Sequence, residues 1–260
     1  MEKLARFGYA AKGFVYGAIA ILALLVAFSI GGKTTDTTGA LQTISQQSFG
    51  KLLLILIAIG LVGYVLWLLI QAIKDPEHKG TDAKGIFSRL GYAITALVYM
   101  GVASNAALLA FGSSNSEGGN SSQQDWTATL MQQPLGRWVV GLGGALVMGI
   151  GCYRIYEAYK TKFRQELNLS QLDSQQKNWL VNISRFGIAA RGVVFIMIGF
   201  FVLQAAHQYN PQKVQGLDGV LYTLTQQPFG KALLALMAFG LLSYAIYLLL
   251  QARFRRIKIN

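Results

Sequence analysis

Three stretches decide the fold: RFGYAAKGFVY at residues 6–16, RLGYAITALVY at 89–99 and RFGIAARGVVF at 185–195. Each opens a long apolar run, and their likeness is internal to one chain, so the protein reads first of all as a repeat. A second set marks the partner runs: QQSFGK at 46–51, QQPLGR at 132–137 and QQPFGK at 226–231. Further on, Gly60, Gly63, Tyr64 and Trp67 correspond to Gly149, Cys152, Tyr153 and Tyr156, and to Gly240, Ser243, Tyr244 and Tyr247. The middle copy carries three extra residues before that point.

Apolar runs cover approximately 8–30, 52–73, 91–111, 138–159, 187–206 and 232–252. Each meets the length of about 20 apolar residues that a helix needs to cross a bilayer core. Stretches such as LLLILIAIGLVGYVLWLLI lack the period-two alternation of a membrane β-barrel. Composition agrees: 53% hydrophobic and 13% charged residues, against about 25% charged in soluble domains. The expected fold is all-α and polytopic, with six transmembrane helices in three parallel two-helix repeats, at residues 1–80, 81–168 and 169–260. Two spans per unit is even, so the copies enter the membrane in one direction, which suits a pseudo-threefold axis along its normal.

Charge assigns orientation. Of the 23 Lys and Arg, eighteen fall at the amino end, in the second-to-third and fourth-to-fifth connections and in the tail. The opposite face has Lys33, Lys51, Arg137, Lys213 and Lys231. Basic residues gather in cytoplasmic loops, so both termini are expected inside. The first run is longer than a signal-peptide core and matches the third and fifth, so it is expected to be retained. The net charge of +12 sits at the ends of apolar runs, which speaks for membrane topology and against nucleic acid. Cys152 is the single cysteine, and His78 and His207 are far apart, so no disulfide and no metal site is expected.

These motifs resemble those of the bacterial membrane proteins grouped as the domain of unknown function 1206 family, whose three two-helix repeats open with R-x-G-Y-A-A-[KR]-G. The resemblance covers essentially the whole chain, although the middle copy has Thr95 and Ala96 where the pattern has a basic residue and glycine. It implies the fold and a place in the bacterial cytoplasmic membrane, and it carries over no catalytic residue and no cofactor.

Candidate sites follow from the recurring polar residues. Arg6, Arg89 and Arg185 either snorkel to lipid phosphate at the start of their spans or converge as a cationic ring at an inner mouth. Lys12 and Arg191 lie six residues deeper, about 9 Å along a helix, and either snorkel or face a cavity. Gln46, Gln47 and Lys51, with Gln132, Gln133 and Arg137, and Gln226, Gln227 and Lys231, either make sound helix starts or ring an outer mouth. Pro134 and Pro228 fit the first turn of the following helix. Leu41 and Ile44, Thr127 and Leu130, and Leu221 and Leu224 have the spacing of short helices in the headgroup plane. Gly13 and Gly17 permit close helix approach, and Arg154 and Glu157 are spaced to pair. Tyr64, Tyr153 and Tyr244 read as packing or interfacial residues, or as hydroxyls along a pathway. The polar stretch 112–124 has no evident reason to order.

The sequence offers no paired acids, nucleophile with base or ligand cluster within the spans, so an enzyme is not expected. Two functions stand: binding or conducting a small solute, ion or lipid along the centre, or acting as a scaffold or assembly factor for other membrane proteins. Either would keep the basic face near anionic headgroups.

Overall fold

The computed structural model describes residues 2–76, 80, 82–112, 119–168 and 173–255. His78 and the basic tail residues Arg256 and Lys258 lie outside them. The described residues are all-helical: α1 (Glu2–Ala27), α2 (Thr37–Ser45), α3 (Gly50–Lys74), α4 (Ala83–Ala110), α5 (Gly119–Met131), α6 (Gly136–Lys160), α7 (Ser174–Gln208), α8 (Leu217–Thr225) and α9 (Gly230–Phe254). Six of these, α1, α3, α4, α6, α7 and α9, are long and apolar enough to span a membrane. Each unit is thus a long helix, a short helix on the far face, and a second long helix.

Helix ends explain where the elements outrun the apolar stretches. The α4 helix starts at Ala83 because the Asp82 side chain accepts from the Gly85 amide at 3.1 Å. A capping box of Asp173 and Gln176 starts α7 well before its apolar part. Hydropathy falls where charge begins, but helical hydrogen bonding continues to the cap.

The long helices meet in a cyclic order. The second helix of each unit packs on the first helix of the next: α3 on α4, α6 on α7, and α9 back on α1. Within the first unit α1 packs on α3, and within the last α7 packs on α9. Among the described residues no packed seam joins α4 to α6 in the middle unit, so the cycle of packed helices is left open at that pair.

Small residues account for both the closed seams and the open one. A Cβ on Gly60 would stand 2.6 Å from that of Ala11, and one on Gly8 at the same distance from that of Tyr64. Gly240 and Ala190, and Gly187 and Tyr244, repeat this in the last unit. The middle unit has Ile94 in register with Ala11 and Ala190. Its counterpart glycines, Gly91 and Gly149, have nothing within contact distance of a Cβ. A branched side chain at the alanine position prevents the backbone approach that such seams require. Instead α6 presents Gly144 and Gly151 to Gly199 and Gly192 of α7, where a Cβ on Gly144 would lie 3.0 Å from the Gly199 carbonyl and one on Gly151 2.6 Å from that of Gly192.

The short helices cap the far face. Leu41 of α2 and Leu221 of α8 are fully buried against the bundle, so these helices pack on protein, whereas Leu130 of α5 is 42% exposed. The α5 helix takes in the second half of the stretch expected not to order. Its Gln124 amide donates to the Gln212 and Val214 carbonyls at 3.2 Å each, which ties it to the last unit. Residues 113–118 lie outside the described set.

Candidate functional site

Lys12 is buried one turn beyond the Gly8–Tyr64 approach. Its ammonium donates to the Tyr64 hydroxyl at 3.1 Å and lies 4.7 Å from the centre of that ring and 4.6 Å from the centre of the Tyr99 ring. Tyr64 belongs to its own unit and Tyr99 to the next. Arg191, its counterpart, donates to the Tyr244 hydroxyl and stacks over Tyr244 at 4.6 Å, Phe195 at 4.9 Å and Tyr16 at 5.3 Å. Tyr16, Tyr99 and Phe195 occupy the same last position of the opening motif. One rule generates both boxes: a basic residue on the first helix, the tyrosine of its unit's second helix, and an aromatic ring at the end of an opening motif.

The rings are locked by one another. Tyr64 meets Tyr9 at 5.2 Å and Tyr99 at 5.1 Å, and Tyr16 meets Tyr244 at 5.1 Å, all edge to face. In the middle unit Thr95 stands where the basic residue would be, and its hydroxyl donates to the Gly91 carbonyl at 2.7 Å. Tyr153 is 55% exposed beside the open seam. The third box is therefore absent for two reasons visible in the sequence, Thr95 and Ile94.

Energetically the boxes replace a counter-ion. Removing an ammonium or guanidinium from water costs several kcal/mol even after relaxation. A desolvated cation–π contact returns about 2 kcal/mol and a hydrogen bond to a charged group about 1.5–3 kcal/mol. Neither Lys12 nor Arg191 has an ion-pair partner among the described residues, and the buried Arg191 Nε has no hydrogen-bond partner. Arg191, Arg154 and Arg255 are the electrostatic neighbours of Lys12. Arg154 is paired with Glu157 at 2.6 Å.

The arginines that open the repeats have another geometry. Arg6 donates to the carbonyls of Ala252 at 2.9 Å, Arg253, and Arg255 at 3.2 Å. Arg89 donates to those of Ala72 at 2.8 Å and Ile73 at 3.0 Å. Each guanidinium therefore closes the carboxyl end of the neighbouring unit's second helix, where free carbonyls and the helix dipole favour a cation. Arg185 is half-buried at the same register.

At the far face Gln46, Gln47, Lys51, Gln132, Gln133, Arg137, Gln226, Gln227 and Lys231 are all exposed. Arg137 donates to the His207 carbonyl at 3.3 Å and Gln226 to the Thr225 hydroxyl at 3.1 Å. Their motif makes a turn before the helix: the Gln47, Gln133 and Gln227 carbonyls accept from Gly50, Gly136 and Gly230 at 2.8, 2.9 and 2.8 Å. Pro134 and Pro228 lie in that turn, ahead of the first helical turn where the spacing put them. Glycine is required after the turn because a Cβ would collide with the carbonyls of Ile44, Leu130 or Leu224.

Sequence reading singled out Lys12 and Arg191 but missed Tyr16 and Tyr99 as their partners. The available signal was the aromatic residue closing each opening motif. It also missed Gly144, Gly151, Gly192 and Gly199, whose seven-residue spacing on α6 and α7 was legible.

Comparison with known proteins fits this geometry. The family model described as Domain of Unknown Function (DUF1206) matches residues 7–75, 90–161 and 186–255. The chain belongs to this family. It is 36% identical over 251 residues to the uncharacterized protein YxxB of Bacillus subtilis (strain 168), covering 96% of this chain and 90% of that protein. No solved structure matches. The three matched segments of this DUF1206 protein each cover one pair of long helices from a point inside the first helix through the end of the second.

Proposed function

We propose that this protein is a non-enzymatic membrane protein that binds a small anionic solute, ion or lipid headgroup at Lys12 and Arg191, and passes it along the bundle centre. One observation carries the reading: two basic side chains sit inside the membrane bundle, held by aromatic rings and hydroxyls and not by carboxylates. Intramembrane cations without protein counter-ions mark ligand or ion pathways. Aromatic boxes hold charge in place while leaving N–H donors to a ligand. The reading includes a bacterial cytoplasmic membrane, with the termini and the more basic face in the cytoplasm.

The test is thermal stabilisation of the purified protein in detergent by chloride, inorganic phosphate and short-chain phosphatidic acid. Stabilisation by at least one of these, lost in Lys12→Gln/Arg191→Gln, is the expected result. Equal response of that variant, or no response of the wild type to any of the three, overturns the proposal. The rival role as a scaffold or assembly factor draws support from the unpaired α4 and α6 faces. Co-purification of a stoichiometric membrane protein that Ile94→Ala releases would favour it.

A further inference from the structure

On the far face the three units meet around a cavity of about 300 Å³. The first unit contributes Thr34 from the connection between α1 and α2, and the middle unit Gln124 of α5. The last unit contributes Gln212 and Gln215 ahead of α8, with Asp218 and Tyr222 on that helix. Hydrogen bonds hold the walls. The Gln124 side-chain nitrogen is spent on the Gln212 and Val214 carbonyls, which leaves its oxygen as an acceptor. The Gln215 side-chain oxygen accepts from the Thr223 hydroxyl at 2.9 Å. Asp218 and Tyr222 stand one turn apart on α8, so the carboxylate and the aromatic ring share a face of that helix.

Asp218 is the group left uncompensated. Its Oδ1 is closed to solvent and has no hydrogen-bond partner. No Lys or Arg pairs with it among the described residues, and Lys33 and Lys213 are exposed. The Asp36 carboxylate stands near enough for the two negative charges to repel. In the first turn of α8 the helix dipole relieves only part of this. A carboxylate drawn partly out of water without a donor gains from a cation beside it.

We infer that this cavity binds a small organic cation through a primary ammonium, held by the Asp218 carboxylate, the Gln124 side-chain oxygen and the face of the Tyr222 ring. The volume stands at the low end of small-molecule sites, well above that of a bare metal ion. A divalent cation takes several oxygen ligands, usually more than one carboxylate, and this lining offers a single carboxylate. A neutral sugar matches the amides but leaves the charge of Asp218 unanswered. An ammonium answers it, and its N–H groups and positive charge suit an amide oxygen and a ring face. The site goes beyond the interior one and takes the opposite charge: Lys12 lies about 22 Å along α1 from the helix end that leads to Thr34.

The experiment is calorimetric titration of the full chain in neutral detergent with ethanolamine, tetramethylammonium, glucose and magnesium, all at one chloride concentration. Saturable binding of ethanolamine is the expected result, with the other three several-fold weaker. Asp218→Asn and Tyr222→Leu should each weaken ethanolamine binding several-fold while helicity and elution volume stay as in the wild type. Tyr222 is exposed, so its replacement leaves the packing of α8 intact. Lys12→Gln/Arg191→Gln should bind ethanolamine as the wild type does, which separates this cavity from the interior site. Absence of saturable ethanolamine binding overturns the proposal, as does unchanged binding in Asp218→Asn. So does glucose, magnesium or tetramethylammonium binding as tightly as ethanolamine, since a sugar site, a metal site or a site indifferent to N–H donors would then be present.

Discussion

Gly60 of α3 faces Ala11 of α1 so closely that a Cβ on the glycine would stand 2.6 Å from the alanine's own. The last unit repeats the pairing with Gly240 and Ala190, and the middle unit breaks it with Gly149 and Ile94. Ala11→Ile should therefore destabilise the protein by about 1–3 kcal/mol through overpacking. Gly149→Ala, which meets open space, should leave the melting temperature in detergent unchanged or slightly raised. Equal losses in the two variants would mean that the units pack alike.

The α6–α7 seam predicts a different asymmetry. Gly151 and Gly192 present carbonyls to each other at distances that exclude a side chain. Gly151→Leu should cost more than Gly149→Leu on the same helix, and limited proteolysis should cut the α6–α7 connection faster. Comparable proteolysis of the two variants would contradict the tight seam.

For the aromatic box, the hydroxyl and ring contributions separate. Tyr64→Phe removes the hydrogen bond to Lys12 but keeps the ring, a loss of about 1.5–3 kcal/mol. Tyr99→Leu removes one cation–π face, about 2 kcal/mol. Adding Lys12→Met to either variant should restore most of the stability, because the buried charge that needed the box is gone. Urea or thermal unfolding of the double variants checks this.

Asp36 gives the far face a dependence on pH. Its side chain caps α2 by accepting from the Gly39 amide at 2.9 Å. Burial raises its pKa above 3.8, against the lowering effect of that amide, and the nearby Asp218 carboxylate raises it further. The folded value lies above the unfolded one, so its contribution to stability is full below pH 3.8 and is lost as pH rises through the raised value. Asp36→Asn keeps the acceptor and removes the proton. It should be less stable than the wild type in acid relative to its standing at neutral pH, measured as the difference in melting temperature across that window.

Much of the fold was legible as sequence because it rests on local chemistry. Apolar length set the six spans, the recurring RFGYAAKG and QQ motifs set three units, and Lys12 and Arg191 stood out as charges inside spans. The short α2 and α8 helices were legible from the spacing of Leu41 and Ile44 and of Leu221 and Leu224. The extent of α5 was not, since Gln124 gains its carbonyl partners from a segment some 90 residues away.

By itself, then, the sequence determined that the chain spans a membrane as three helical hairpins, because hydrophobic length and cationic flanks act on each segment alone. Only the tertiary structure decided that Arg6 and Arg89 close the helices of neighbouring units, that Lys12 and Arg191 lie in aromatic boxes, and that the cycle of packed helices stays open between α4 and α6. Those outcomes depend on which side chains face each other across a seam, and a methyl or a branched chain at one position, Ala11 or Ile94, fixes whether two backbones can meet.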